Sequence, residues 1–585
     1  MCGIAGTFGS SNPDPSEWLP LLRHRGPDGE GVWRSPSGLA ALAHTRLAIL
    51  DLSDAGAQPM SSDNERYHIA FNGEIYNFSE LKRSREEKGY VFRGNSDTEV
   101  LLALLEELPV KEAVQNLAGM FAFAFWDEKN ERGVLARDPF GIKPLYYCVS
   151  PDGALHFASE VKALRKLVAT DNPINREAKQ EFLKWGSVPE PLTLLEGVRS
   201  LPAGAFIEWE KGSLSIHSFR SLQFPVVKNS EVDYVKQTRT ALEESVQRHL
   251  VSDVPVGLFL SGGIDSTVML ALTRQMLGAE ADIRTFSIGF DNPDYDESSV
   301  ARKTAEHFGA NHTEWIMTSE EGKGEIPGYL EHMDQPTIDG FNTWCVSKLA
   351  RRNGAKVVLS GLGGDELFAG YSSFVNLPKF RKWYRNLGRL RSSVAFAMGI
   401  ASEGSKWGRL SSFLKSDGNW LDAFHAQRGI FTGEEAELLV SCFEKNGSCS
   451  NPEFYETGDA LDSVSLLELT RYMRNQLLRD SDVFSMAHGL ELRVPFVDFR
   501  LFEAISAIPS SVRLRYGKQL LLEAVPEVPA WVRERPKNGF RFPFDDWVTE
   551  VLGERLEMME ARSSVELGSW FRKWALVSLQ NVTGE

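Results

Sequence analysis

Long apolar runs are missing from this sequence. No stretch approaches the ~18 consecutive apolar residues a membrane-spanning helix needs, so no membrane partner is expected. The N-terminus has no basic stretch leading into an apolar segment, so no signal peptide is expected either. Cysteine is scarce, with five in 585 residues. Cys2, Cys148, Cys345, Cys442 and Cys449 form no C-x-x-C pair, which argues against a zinc site and fits reduced thiols in a cytoplasmic setting. Positive charge is in deficit: 64 Lys and Arg against 80 Asp and Glu leave a net −16. A chain so acidic is a poor default binder of nucleic acid. A Walker phosphate loop, G-x-x-x-x-G-K-[ST], is absent throughout. What remains is ordinary globular composition, 42% hydrophobic and 25% charged, enough for cores in about two to four domains.

One stretch organises the rest: Val256-Gly-Leu-Phe-Leu-Ser-Gly-Gly-Ile-Asp-Ser266. Val256 to Leu260 reads as a buried strand. Ser261-Gly262-Gly263 breaks it, and Ile264 to Met276 carries apolar residues at helical spacing. A strand, a glycine turn and a helix N-terminus build an anion site, because backbone N–H groups and the helix dipole converge there. Ser261 and Ser266 add hydroxyl donors. Asp265 cannot hold phosphate directly, so its expected partner is Mg²⁺. The stretch resembles the S-G-G-x-D-S loop of ATP pyrophosphatases, which split ATP into AMP and pyrophosphate.

The chain begins Met1-Cys2-Gly3-Ile4. Removal of Met1 would leave Cys2 with a thiol and a free α-amine. That amine, with a reference pKa near 8, can serve as the thiol's own base. Short β-rich runs follow at 39–49, 67–72, 121–127, 133–138 and 145–149, with helical patterns at 79–88 and 97–108. Stacked antiparallel sheets in an α+β domain are the expectation.

The polar clusters Arg23-His-Arg-Gly-Pro-Asp28, Phe71-Asn-Gly-Glu-Ile-Tyr-Asn77, Ser96-Asp-Thr-Glu99 and Arg137-Asp-Pro-Phe-Gly-Ile-Lys-Pro-Leu145 punctuate that domain. Together with Cys2 they resemble the glutaminase domain of N-terminal-nucleophile amidotransferases. Continuation into S-G-G-I-D-S is similar to the glutamine-hydrolysing asparagine synthetase family. That resemblance spans nearly the whole chain. It implies an αββα sandwich over 2–210, then a helix-rich α/β domain with a parallel sheet over 235–560. It also implies that Cys2 attacks the glutamine carboxamide, with the Asn72 side chain and the Gly73 N–H as oxyanion hole. Arg46 would clamp the glutamine α-carboxylate, and Glu74 and Asp97 would hold its α-ammonium. Arg137 to Leu145 is expected to be structural, and Phe157 to Ala163 to form the domain junction.

In the second half, strands near 283–289 and 356–360 alternate with helical stretches near 298–308 and 343–352, which implies a parallel sheet with crossover helices. Ligands in such sheets bind at strand C-termini. Leu260, Ser261, Gly262, Gly263, Ser266, Ile288, Ser360 and Gly361 are thus assigned by resemblance to ATP, and Asp265 and Asp365 to Mg²⁺. Ser360-Gly-Leu-Gly-Gly-Asp-Glu-Leu-Phe-Ala-Gly-Tyr371 matches a family motif, as does Ser485 to Asp498. Glu491 and Arg493 are expected to shape the acceptor pocket or brace its wall, and His488 to be packed. Lys518 opens a segment like K-x-x-L-R-x-A, with Leu522 where Arg is usual; it suits charge neutralisation at phosphorus. Arg535 to Phe544 resembles a loop that folds over the active site.

Leu362 is the main departure, since many asparagine synthetases carry an acidic residue there, beside the activated acid. The substitution leaves the adenylation chemistry and opens the acceptor. Glutamine, ATP and a carboxylate are the expected partners, aspartate favoured, in a homodimer. A uronic acid or a natural-product acid is the alternative acceptor. A non-enzymatic sensor would not need Cys2, Asn72, Asp265, Asp365 and Lys518 together. A ring-closing synthetase would not need Cys2.

Overall fold

The computed structural model describes residues 2–10, 13–167, 173–225, 232–292, 296–400, 406–441, 456–535, 547, 550, 553 and 565–584. The loop expected at 535–544 lies outside them apart from Arg535.

Two six-stranded sheets form the first half. One runs in the order 199–200, 146–149, 155–158, 3–8, 40–46, 29–34, and the other 213–218, 205–210, 132–137, 119–127, 67–75, 60–61. All their ladders are antiparallel. The strand Gly119–Asp127 shows how sequence sets the layers. Successive side chains point to opposite faces. Phe121, Phe123 and Phe125 meet the helices Asp97–Glu107 and Val110–Asn116. Ala122, Ala124 and Trp126 face the other sheet and join Ile4, Phe8 and Phe157. Small residues in that inner row let the sheets approach. Trp18, Leu22, Val161 and Leu164 cover the outer face of the first sheet. The result is the expected αββα sandwich.

The second half contains a five-stranded parallel sheet in the order 311–317, 284–290, 256–259, 357–359, 491–493. The strand order reverses beside Val256–Phe259, and a reversal of that kind opens a crevice at the strand C-termini. The helix Tyr234–His249 leads into this sheet, starting from an Asp233 cap whose carboxylate accepts from the Lys236 N–H at 3.0 Å. Helices pack around the sheet in one large core that includes Leu258, Leu270, Phe286, Leu359, Phe496 and Leu521.

Three differences from the sequence expectations have physical reasons. The strand expected over 39–49 ends at Arg46. Leu47 and Ile49 leave the sheet and bury against Val357 and Met486 of the second half. The edge strand Asn311–Met317 was not expected, because its polar, half-exposed composition lacks the apolar run of a buried strand. The strand Glu491–Arg493 is three residues long and carries buried charges, so no periodicity could reveal it. No helix among the described residues is long and apolar enough to cross a membrane.

Candidate active site

Cys2 immediately precedes the strand Gly3–Phe8 and is buried. Its N–H donates to Asn72 Oδ1 at 3.0 Å. That bond fixes the amide orientation and turns Asn72 Nδ2 away from the Cys2 nitrogen. Asn72 is fully buried, and its Nδ2 has no hydrogen-bond partner. A buried unsatisfied donor is costly unless a ligand uses it, and this one belongs to the side chain that holds the Cys2 backbone. Gly73 follows in the same strand, where a Cβ would strike the Met120 carbonyl of the neighbouring strand. Burial pushes the Cys2 thiol pKa up, and Glu491 adds to the rise. A local base is therefore needed to make the thiolate.

Arg46 ends the strand Ala40–Arg46. Its guanidinium is held by two loop carbonyls, donating to Ser53 O at 2.9 Å and to Asp51 O. Glu74 and Asp97 are buried nearby. Asp97 opens its helix and accepts from the Ile75 N–H at 2.9 Å. Burial raises its pKa to about 6, against the backbone hydrogen bonds that lower it. Glu74 is raised well above the usual carboxylate range by burial first and Glu491 second, offset by Arg493. Two buried carboxylates whose nearby cation, Arg493, is shared with Glu491 make a receptive place for an ammonium group.

The second site is a cavity of about 440 Å³ at the C-terminal ends of the parallel strands. Leu260, Ser261, Asp265, Ser266, Ile288, Ser360, Gly361, Leu362 and Asp365 all line it. Gly262 and Gly263 form the turn beneath, Gly262 at φ +71° and Gly263 at the helix N-cap. Lys518 Nζ sits 2.5 Å from both Asp265 Oδ2 and Asp365 Oδ1. The glycines of the 360–371 segment make this convergence possible. A Cβ at Gly364 would strike the Asp265 carboxylate, and one at Gly370 would strike Asp365 and Lys518.

Among the described residues, no cluster of three or more His, Cys, Asp or Glu side chains could hold a metal alone. Two carboxylates at a cavity edge still suit a hard cation that completes its oxygen shell from substrate phosphates and water.

An asparagine synthase family model matches residues 237–579, and a glutamine amidotransferase domain model matches residues 1–220. The chain belongs to the glutamine-hydrolysing asparagine synthetase family. It is 34% identical to asparagine synthetase [glutamine-hydrolyzing] 1 of Bacillus subtilis (strain 168), over 95% of this chain and 89% of that one. It is 32% identical to asparagine synthetase B of Escherichia coli (strain K12), over 76% and 79%. It is 27% identical to amidase chry2 of Gibberella zeae, over 94% and 88%.

Within this asparagine synthetase family member, Glu491 and Arg493 do not line the cavity. Leu492 lines it, and alternation along the strand turns its two neighbours to the opposite face. There Arg493 Nε donates to Glu491 at 2.5 Å, and its Nη1 to the carbonyls of His249 and Val251 at 2.7 and 2.6 Å. Its Nη2 lies 3.4 Å from Glu74 in the first half. The pair therefore braces the wall between the two sites. The Arg493 carbonyl also accepts from the Ser360 N–H at 2.8 Å, anchoring the cavity's own loop.

Other residues were given no role by the motif reading, Arg25 and Tyr371 within quoted motifs and the rest outside them. Arg25 is fully buried; it donates to Cys2 O at 3.1 Å, to Glu160 at 2.9 Å and to Asp482 at 2.6 Å. Asp334 accepts from the backbone N–H groups of Val161 and Lys162, both at 2.9 Å. Tyr371, Tyr472, Asp480 and Ser481 add to the far cavity wall. Tyr472 comes from Glu468–Leu478, wound as a π-helix, a form that often marks functional positions. Its spacing signal is too close to that of an α-helix to be read from sequence. Arg137 is tied to backbone carbonyls of Gly141, Lys143 and Leu201, a structural role. His488 packs its ring 4.2 Å from Trp344.

Proposed function

We propose that this chain is an ATP-dependent, glutamine-hydrolysing amidotransferase that converts L-aspartate to L-asparagine, releasing AMP and pyrophosphate. The arrangement that carries this reading is the contact of Cys2 with the Asn72 amide in one half and the Asp265–Lys518–Asp365 cluster at the strand-end cavity in the other.

After removal of Met1, the Cys2 amine is held by Asn72 Oδ1 and takes the thiol proton. The thiolate attacks the glutamine carboxamide, and Asn72 Nδ2 and the Gly73 N–H stabilise the oxyanion. The C–N bond breaks and ammonia leaves. Water then cleaves the thioester to give glutamate. Arg46 holds the α-carboxylate of glutamine, and Glu74 and Asp97 hold its α-ammonium.

In the second half, the backbone of the Ser261–Ser266 turn cradles the phosphates. An oxygen of the acceptor carboxylate attacks the α-phosphorus, and pyrophosphate departs from the opposite side. Lys518 neutralises charge gathering on phosphorus and on the departing group. Asp265 and Asp365 would hold Mg²⁺, which supplies charge neutralisation on the phosphates. Ammonia then attacks the acyl carbon, and AMP leaves.

A second reading keeps this chemistry with another carboxylate, such as a uronic acid. Leu362 favours it, because an apolar side chain lines the cavity where many family members carry an acid. Leucine neither accepts a hydrogen bond from an ammonium group nor repels an anionic acceptor.

The test is AMP and asparagine production by purified enzyme from ATP, glutamine and aspartate, beside a panel of other carboxylates. Asparagine formed in step with AMP supports the aspartate reading. Neither product from aspartate, with rapid AMP formation from a uronate, replaces it by the second.

A further inference from the structure

The chain turns sharply after Arg46, and that turn is held from the other half of the molecule. Asp51 sits at φ +50°, a left-handed conformation that costs free energy for any residue with a Cβ. Its carboxylate closes the turn on the glutaminase side, accepting from the Ser53 N–H at 3.2 Å, the Ser53 hydroxyl at 2.5 Å and the Asn95 N–H at 2.7 Å. Its own N–H donates to Asp253 Oδ2 at 2.8 Å. The Asp253 N–H in turn donates to Ile49 O at 3.1 Å. Asp253 thus grips the turn at two points, one on each side of Leu50.

The carbonyls presented by this turn, Asp51 O and Ser53 O, are the ones that hold the Arg46 guanidinium. Asp253 stands three residues before the strand Val256–Phe259, whose far end carries the Ser261–Ser266 loop. Leu47 and Ile49 are buried against Val357, from the adjacent strand of the same sheet.

We infer that Asp253, contributed by the synthetase half, is a positioning residue for glutamine binding: it sets the Asp51 turn that aims Arg46. The inference rests on the proposed role of Arg46 as the clamp for the α-carboxylate. A guanidinium fixed by carbonyls at two of its nitrogens presents the remaining N–H groups in one direction. Loosening one carbonyl spreads that direction and weakens substrate binding. The effect falls on glutamine alone, because ammonium needs no clamp.

The Asp253 side chain borders an open cleft of about 680 Å³, so its truncation leaves no buried void and the variant folds. The experiment compares Asp253→Ala, Asp253→Asn, Arg46→Ala and the double variant Asp253→Ala/Arg46→Ala in the full chain. Each is assayed with L-glutamine and with ammonium chloride as nitrogen source. Asp253→Ala is expected to raise KM for glutamine about threefold to tenfold, the loss of one hydrogen-bond acceptor, with kcat little changed and KM for ammonium unmoved. Asp253→Asn keeps an oxygen facing the Asp51 N–H and is expected to restore most of the loss. The double variant is expected to be no worse than Arg46→Ala. Arg46→Ala raising KM while Asp253→Ala does not overturns the inference and leaves the clamp in place. Equal impairment of the glutamine and ammonium reactions by Asp253→Ala also overturns it. No change in KM from Arg46→Ala removes the clamp itself, and the inference with it.

Discussion

Arg493 reaches out of the last strand of the parallel sheet and comes within 3.4 Å of Glu74, on the strand that also carries Asn72. Both side chains are buried, and Arg493 is fully so. The two halves therefore meet through a buried Arg–Glu contact placed between the Cys2 site and the strand-end cavity.

Breaking that pair should be expensive. Arg493→Met leaves Glu74 and Glu491 buried without their shared cation, and two carbonyls lose their donor. A cost of about 3–5 kcal/mol is expected for removing one partner of a buried pair. Chemical denaturation of wild type and variant measures it. A loss under about 1 kcal/mol would show that water or rearrangement replaces the guanidinium.

The two activities should separate cleanly at Cys2. Cys2→Ala is expected to abolish glutamine hydrolysis while ammonium-dependent amidation continues. Asn72→Ala, which removes the buried amide donor, should lower kcat for glutamine hydrolysis by about 10²–10³. Release of glutamate from glutamine reads both. Normal glutamine use by Cys2→Ala would assign the nucleophile elsewhere.

The opposite separation is expected at Asp365. Asp365→Asn removes one of the two carboxylates that face Lys518 at the cavity. Exchange of radiolabelled pyrophosphate into ATP should be lost, and glutamine hydrolysis should survive. Exchange at a near-normal rate with Mg²⁺ would make Asp365 a structural carboxylate.

Asp97 gives the glutamine site a pH dependence. Burial raises its pKa from an ordinary 3.8 to about 6. Between those values the folded chain keeps a proton that the unfolded chain has lost. This group's contribution to stability is therefore present at low pH and is lost as pH rises through about 6. Binding of an ammonium group requires the ionised form, so the sign for substrate is opposite. KM for glutamine should rise as pH falls below about 6, approaching tenfold per unit. Asp97→Asn should change the profile, leaving the part that Glu74 contributes. A KM independent of pH between 5 and 7 would remove Asp97 from the ammonium site.

The local parts of this protein were legible in its sequence. The strand, glycine turn and helix at 256–277 follow from one apolar run and a short break, and the structure has that order. The row of Phe and Ala over 119–127 declares a two-faced strand by alternation alone. The sides of the cavity at 260–266 and 360–365 were recognisable because glycine is required wherever a carboxylate or backbone must pass that closely. For the turn and the strand the determining pattern lies within a few residues, whereas Gly364 and Gly370 make way for Asp265 and Lys518, which are distant in the chain.

The junction was decided only in three dimensions. Arg25 meets Asp482 across 457 positions, and Asp51 meets Asp253 across 202. A lone charged residue has no periodicity, so nothing in the sequence says whether it faces water or a distant partner. Of the two expectations for Glu491 and Arg493, shaping the pocket or bracing its wall, the structure fits the bracing one. Their motif marks them as special, but the pleat of a three-residue strand turns them away from the cavity. Arg493 is then buried against both Glu491 and Glu74, because a charge removed from water must find a partner wherever the fold brings one.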